Sequence, residues 1–446
     1  MTDRDFTVIE IVELLKQGKT SVKEFIDDLV IRAQAVNHEI NAIVDLRIQY
    51  IIQQAQILDQ TKQDGSHLGR MFGVPIGVSD NISTFDFFTE VGSKIHKGQQ
   101  LNKDSTVVQR LRNENAIIFG KTCLTEFACS QPTITLNPHD KSTSPGGSAS
   151  GGAASVAAGI VPLTVASQTN GSIIRSASYC GVYGYKPTNN IIPNTGLITK
   201  SDTLDTIGFF SRNIEDLGYV LEVVGGDDGT DLKTIGSSRS KNYLEIISQE
   251  PPFDPKFLYA KTSSLKKLSR SAQSVMNRFR KKIKNHLTEL NLLELVSSSE
   301  SLHQTIFEVE LSLNLAKEYE QRKHLLSPAL KQKIRYGSKI SGCDYLLALK
   351  RREEVKTALQ EMFEHFDAIL VPSSIDSAPL LNTKNTGDPC LSTIWSLCGF
   401  PMISLPILKL KNGMPYGIQL IGSPNDDARL LRTANWLTRN FGENNE

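Results

Sequence analysis

No stretch of this 446-residue chain is apolar for long enough to cross a bilayer as a helix, which excludes a helical membrane protein. Charge of one sign is lacking too. The 49 basic residues stand against 48 acidic ones, for a net charge of +1, so bulk electrostatics gives no reason to expect nucleic acid or a membrane surface as partner. Cysteine is scarce. The six (Cys123, Cys129, Cys180, Cys343, Cys390 and Cys398) are too sparse for a disulfide scaffold and have no metal-ligand spacing. No histidine pairs into a ligand motif either, so neither a metal nor another cofactor is expected. The start, Met1-Thr2-Asp3-Arg4-Asp5, lacks the basic and then apolar layout of a secretion signal. These absences point to a reducing compartment, the cytoplasm. No internal repeat breaks the chain into modules.

What is present suits a soluble globular protein: 39% hydrophobic and 22% charged residues, over a length sufficient for one large domain or two to three ordinary ones. Apolar residues recur at three- and four-residue steps in Val8 to Leu15, Val22 to Ala35 and Ile40 to Leu58, which predicts helices. Val74 to Val78, Ala116 to Phe119, Ile160 to Ala166 and Ala368 to Pro372 are short β-branched or apolar runs that read as buried strands. A stretch from Gly225 to Glu250 is polar and turn-rich. Behind it, Lys266, Lys267, Arg270, Arg278, Arg280, Lys281, Lys282 and Lys284 form a basic cluster. Leu265, Leu268, Val275, Phe279 and Ile283 lie between those charges at helical spacing, so the cluster reads as a solvated helical face rather than an RNA surface. The alternation of helices and strands predicts an α/β fold.

The densest information lies between Ser144 and Thr188. Small residues dominate there, and two serines each follow glycine: Ser148 in Gly146-Gly147-Ser148 and Ser172 in Asn170-Gly171-Ser172. Glycine admits positive φ and close approach of another chain or a substrate. Two such loops around one apolar run can bring two hydroxyls together and turn backbone N–H groups toward a reacting oxygen. That is the layout of an acyl-transfer site, with a nucleophile, a proton-relay hydroxyl and an oxyanion hole.

Several segments, in order along almost the whole chain, carry a resemblance. Gly73 to Ile82 reads G-V-P-I-G-V-S-D-N-I, and Gly120 to Ala128 reads G-K-T-C-L-T-E-F-A. Leu14 to Ala42, Asp205 to Leu217, and Cys398 to Leu431 with its Gly417-Ile418-Gln419-Leu420-Ile421-Gly422 element, complete the set. Together they resemble the amidase signature family. Its members break or transfer carbon–nitrogen bonds with a lysine, a cis-serine and a nucleophilic serine. The resemblance implies a single α/β domain over 1–446, with a mixed, mainly parallel sheet covered by helices on both faces and a helical elaboration about 251–365. It implies Ser172 as nucleophile, Ser148 as relay, and the backbone of Thr169, Asn170 and Gly171 as the oxyanion hole. It implies no cofactor, and it leaves open both a small-molecule amide and a protein partner.

The departures from the pattern carry equal weight. Aligned through G-V-P-I-G-V, the family's lysine falls on Ser79. The family's D-T-G-G-S becomes Gln168-Thr169-Asn170-Gly171-Ser172, and the arginine that usually follows in S-I-R becomes Ile174, with Arg175 one place later. A serine hydroxyl needs a base to attack at neutral pH, and another serine has no suitable pKa to serve as one. Lys121, Lys186 and His139 are the candidate replacements, each with a structural role as the alternative. Arg352 matches loosely an arginine that some members use for a substrate carboxylate; an exposed helical arginine is the other reading. Substrate loops fall within Phe307 to Lys350 and Ser373 to Leu391, with no motif that names a substrate. Two functional classes follow: a member whose catalysis is lost or severely weakened, or an active amidase with a non-standard base.

Overall fold

The computed structural model describes residues 6–129, 131–237 and 242–442. The start Met1-Thr2-Asp3-Arg4-Asp5 and part of the polar stretch Gly225 to Glu250 lie outside the described residues. Among the described residues eleven strands form one sheet: β1 (Ile43–Asp45), β2 (Pro75–Ser79), β3 (Ile117–Thr122), β4 (Leu163–Gln168), β5 (Tyr183–Lys186), β6 (Thr206–Ser211), β7 (Phe257–Lys261), β8 (Leu287–Asn291), β9 (Ala368–Pro372), β10 (Met402–Lys409) and β11 (Pro415–Ile421). Their spatial order is β1-β3-β2-β4-β6-β5-β10-β11-β9-β7-β8. The α/β architecture with a large mixed sheet flanked by helices is the expected one. Within the mix, β2 runs parallel to β3 and β4, and β7 runs parallel to β8 and β9. The other six pairings are antiparallel and occupy the centre and the β1 edge. Parallel pairing is thus less dominant than the sequence reading expected. One reason is local: β10 and β11 are joined by a short turn, which only an antiparallel pair permits.

Local chemistry explains the elements. The first two helices, Val8–Lys16 and Val22–Ile40, each open with a capping box, Thr7 with Glu10 and Ser21 with Glu24. The helix expected over Ile40 to Leu58 does not form as one piece. Asn41 takes a left-handed conformation (φ 52°) that ends the second helix, β1 then pairs with β3, and a new helix runs Ile48–Gln63. The stretch about 251–365 is mostly helical but also supplies β7 and β8, which extend the sheet to one edge. There the basic cluster follows the expected pattern: Val275, Phe279 and Ile283 are buried, while Lys266, Arg270, Lys281 and Lys284 are exposed.

The helix Ser150–Ala157 shows why its residues are small. A side chain at Gly151 would place its Cβ 2.1 Å from the Ala42 carbonyl oxygen and 2.3 Å from the Cys123 nitrogen. The backbone itself packs there, and no larger residue fits. Because β2, β3 and β4 are parallel neighbours, their carboxyl ends emerge on one edge of the sheet. Ser79, Thr122 and Gln168 end those strands, and the loops beyond them build the site, as is general for such sheets.

Candidate active site

Two loops meet beyond that edge. The first, Gly146-Gly147-Ser148, leads into the helix Ser150–Ala157; its Ser148 carbonyl accepts from the Thr125 N–H at 3.1 Å. The second, Thr169-Asn170-Gly171, joins β4 to the helix Ser172–Cys180. Ser148 Oγ and Ser172 Oγ lie 2.9 Å apart, with Ser148 placed to donate. Both line a cleft of about 370 Å³ together with Thr169, Asn170 and Gly171. The structure therefore brings together five of the six site residues read from the sequence.

The sixth does not line the cleft. Ser79 is 1% exposed, its Oγ has no hydrogen-bond partner, and it is not among the residues that line the cleft. The three candidate bases are occupied elsewhere. Lys121 donates to the Ile82 carbonyl at 2.5 Å and to Thr89 Oγ1 at 3.0 Å. Lys186 donates to the Pro187 carbonyl at 2.7 Å and to Asn189 Oδ1 at 3.0 Å. Burial pushes these two ammonium groups down, to about 8 and about 7 respectively, but neither bonds a site serine. His139 directs Nε2 at the Cys180 carbonyl, 2.9 Å away. A carbonyl can only accept, so this nitrogen carries the hydrogen. Among the described residues, Ser148 Oγ meets no lysine, histidine or carboxylate. Arg352 is also elsewhere, donating through Nε to the Leu397 carbonyl at 2.6 Å and lining a separate cavity with Lys356 and Cys398.

The Ser172 loop is held from all sides. Thr169 Oγ1 donates to Asp205 at 2.5 Å, and Asp205 pairs with buried Lys200 at 3.4 Å. The Asn170 carbonyl accepts from Ser396 Oγ, and its side-chain oxygen accepts from Thr393 Oγ1 at 2.9 Å. Gln168, in place of the family's aspartate, accepts the N–H groups of Ile173 and Ile174 at 2.8 and 3.1 Å on Oε1. It caps the first turn of the helix that Ser172 opens, work an aspartate could also do. The N–H groups of Asn170 and Gly171 take no acceptor from the described residues and sit at a helix N-terminus, where partial positive charge gathers. Arg175 is buried and ties two loops together, giving Nη2 to the Gly147 carbonyl at 2.5 Å and Nε to the Thr386 carbonyl at 2.8 Å. Burial lowers its pKa.

The sequence reading missed Arg175 as a tether and missed His303, Glu300 and Gln304 in the cleft wall. Arg175 had one signal, its place beside the family's arginine position. His303 had none, because only tertiary packing brings its helix to the loop. The two segments read as substrate loops reach the cleft wall, through Phe307, Glu308 and Lys333 from one and Thr386, Asp388, Pro389 and Cys390 from the other. Among the described residues no group of histidine, cysteine, aspartate or glutamate has the arrangement to hold a metal ion.

Comparison with known proteins bears on this arrangement. The model of the Amidase family matches residues 24–431. The chain belongs to that family, whose chemistry is at carbon–nitrogen bonds. Among curated amidase-family relatives, the glutamyl-tRNA(Gln) amidotransferase A-subunit of Bacillus pumilus is 32% identical, over 96% of this chain and 96% of the relative. That of Natranaerobius thermophilus is 29% identical, over 96% of this chain and 94% of the relative. Among solved structures, 6-aminohexanoate cyclic dimer hydrolase superposes with a TM-score of 0.88 at 21% identity, covering 99% of this chain and 98% of that one. The native peptide amidase of Stenotrophomonas maltophilia gives 0.84 at 21%, covering 98% and 97%. At such identities the superpositions speak for the amidase fold alone. No helix among the described residues is long and apolar enough to cross a membrane.

Proposed function

We propose that this amidase-family chain keeps the pocket for a carbonyl compound but has lost, or severely weakened, the turnover of it. The observation that carries the reading is the end of the relay. In an active site of this design Ser172 Oγ attacks a carbonyl carbon, its proton passes to Ser148, and Ser148 passes a proton to a base. Here Ser148 Oγ bonds Ser172 Oγ, and among the described residues no lysine, histidine or carboxylate bonds it on the far side. Ser79, where the family's lysine would stand, brings a hydroxyl that holds its proton at neutral pH. Loss of a general base typically costs about 10² to 10⁴ in rate, and more where the groups act as one unit.

The intact parts favour ligand binding. The carbonyl oxygen would rest on the N–H groups of Asn170 and Gly171, and the small polar cleft suits a compact amide or urea-like group. The same parts favour the second reading, an active amidase with Ser172 as nucleophile, Ser148 as relay and a base not on the family's pattern. A protein partner and a cytoplasmic location are part of the proposal; relatives named as one component of an amidotransferase support the former. Labelling with a fluorophosphonate, which reacts only with activated serines, separates the readings. The proposal expects no labelling of Ser172 at neutral pH, and stoichiometric labelling lost in Ser172→Ala would establish the second reading.

A further inference from the structure

A second cavity, of about 610 Å³, shares no lining residue with the serine cleft. Separate parts of the chain converge on it: the turn after β5, the segment 233–237, the helix Gly342–Gln360 and the turn after β11. The helix contributes Arg352 and Lys356, four residues apart and so on one face. Lys233 joins them from another segment, so three cations line one cavity, and among the described residues no carboxylate does. Glu353 accepts from Arg352 Nη1 at 2.5 Å and stands 3.6 Å from Lys356, and Asp202 stands 4.0 Å from Lys233. Both carboxylates lie outside the lining and are more than half exposed, 55% and 56%, where water screens them. The Arg352 side chain is only 14% exposed. Its Nε is taken by the Leu397 carbonyl, which leaves Nη2 with no hydrogen bond among the described residues.

One wall of this cavity is fixed before any ligand arrives. The Asn189 N–H donates to the Gly399 carbonyl at 3.1 Å. Asn189 Oδ1 accepts from Lys186 Nζ at 3.0 Å and from Thr206 Oγ1 at 2.6 Å. Beside it, Thr188 Oγ1 donates to buried Asp427 at 2.6 Å. A wall held in this way costs little ordering when something binds against it. The charges select an anion, and their arrangement narrows its kind. A planar guanidinium with two ammonium groups suits an anion whose oxygens face several directions. A carboxylate offers two oxygens in one plane and a single charge. A phosphate monoester offers three terminal oxygens and close to two charges at neutral pH. The volume is that of a site for a small organic molecule, far larger than phosphate alone. Ile191, Ile235 and Tyr243, the last 3% exposed, also line it and offer apolar surface to an organic body.

We propose that this cavity is a second ligand site, separate from the serine cleft, and that it takes a small organic phosphate monoester on Arg352, Lys356 and Lys233. The site stands whether or not the cleft turns over a substrate. Isothermal titration calorimetry of the full chain with phenyl phosphate tests it, with inorganic phosphate and benzoate as comparison ligands. Phenyl phosphate should bind saturably, one to one, and more tightly than either comparison ligand. Lys356→Gln should weaken it at least about tenfold, the worth of a hydrogen bond to a charged group, and Lys356→Arg should keep it. Lys233→Gln, on a more exposed side chain, should weaken it as well and guards against a folding defect in the first variant. Lys333→Gln, in the wall of the cleft, should leave binding unchanged. No saturable binding by wild type in the millimolar range overturns the proposal. Weakening by Lys333→Gln in place of Lys356→Gln overturns it too, since the anion would then sit in the cleft. Equal affinity for benzoate refutes the phosphate, and equal affinity for inorganic phosphate refutes the organic body.

Discussion

Replacing Ser79 by lysine is the most informative perturbation of this protein. Ser79 ends β2, on the sheet edge from which the Ser172 loop also emerges, and its hydroxyl has no partner to lose. The introduced ammonium would be buried, and two lysines in the same molecule show what burial does: Lys121 is held at about 8 and Lys186 at about 7. A lysine in that range is largely neutral by about pH 8 to 9 and can accept a proton through Ser148. The expected gain is about 10² to 10⁴ in single-turnover hydrolysis of simple amides and esters, rising with pH as the lysine deprotonates. It has a cost. A folded pKa below the unfolded value of about 10.4 means the unfolded chain binds more protons, so stability falls as pH drops. The variant should therefore melt lower than wild type at pH 7 and recover part of the difference by pH 9. Wild type, Ser172→Ala, Ser79→Lys and Ser79→Lys with Ser172→Ala are the four proteins to compare. Robust wild-type turnover abolished by Ser172→Ala would refute the reasoning outright, since it would require a base other than lysine. No gain in Ser79→Lys would refute the sufficiency of the lysine and shift the cause to the Gln168–Ile174 loop.

Other outcomes follow from the same geometry. Gly147→Ala sets a Cβ 2.8 Å from Thr386 Cγ2 and should lower stability by about 1–3 kcal/mol in urea denaturation; a neutral result would mean the two loops are not in contact. Arg175→Met leaves the Gly147 and Thr386 carbonyls unpaired in a buried setting, at about 1–3 kcal/mol each, and should lower the melting temperature by several degrees; an unchanged melt would show the tethers idle. Gln168→Ala removes the cap on Ile173 and Ile174 and should cost about 1 kcal/mol, checked by the same denaturation. Asp216 is buried and its carboxyl is pushed up to about 6, chiefly by that burial. The folded state then holds a proton that the unfolded state releases near pH 4, so stability should fall as pH rises from about 4 to 6. Asp216→Asn should flatten that slope in the denaturation midpoint, and an identical slope in the variant would exclude Asp216 as its source.

The sequence by itself determined the elements with strong local signals and the location of the site. Thr7 with Glu10 and Ser21 with Glu24 mark two helix starts because capping acts within one turn. The apolar run Ala368 to Pro372 is a strand at the residues expected. Ser148 and Ser172 were legible as a pair because the glycine loops that deliver them are local devices. The break at Asn41 was not legible: the apolar pattern from Ile40 continues through it, and β1 exists only because β3 lies beside it. Nor could spacing foretell that most pairings within the sheet are antiparallel, since strand direction depends on which strands become neighbours. Tertiary structure alone decided that Lys121 and His139 bond carbonyls brought from other segments, those of Ile82 and Cys180, whereas Lys186 bonds its own neighbours Pro187 and Asn189. It alone placed His303 against Thr169, a contact between residues 134 apart in the chain. The physical reason is the same in both directions. Propensity and capping are settled within a few residues, whereas the partner of a buried polar group is whichever segment the packing delivers to it.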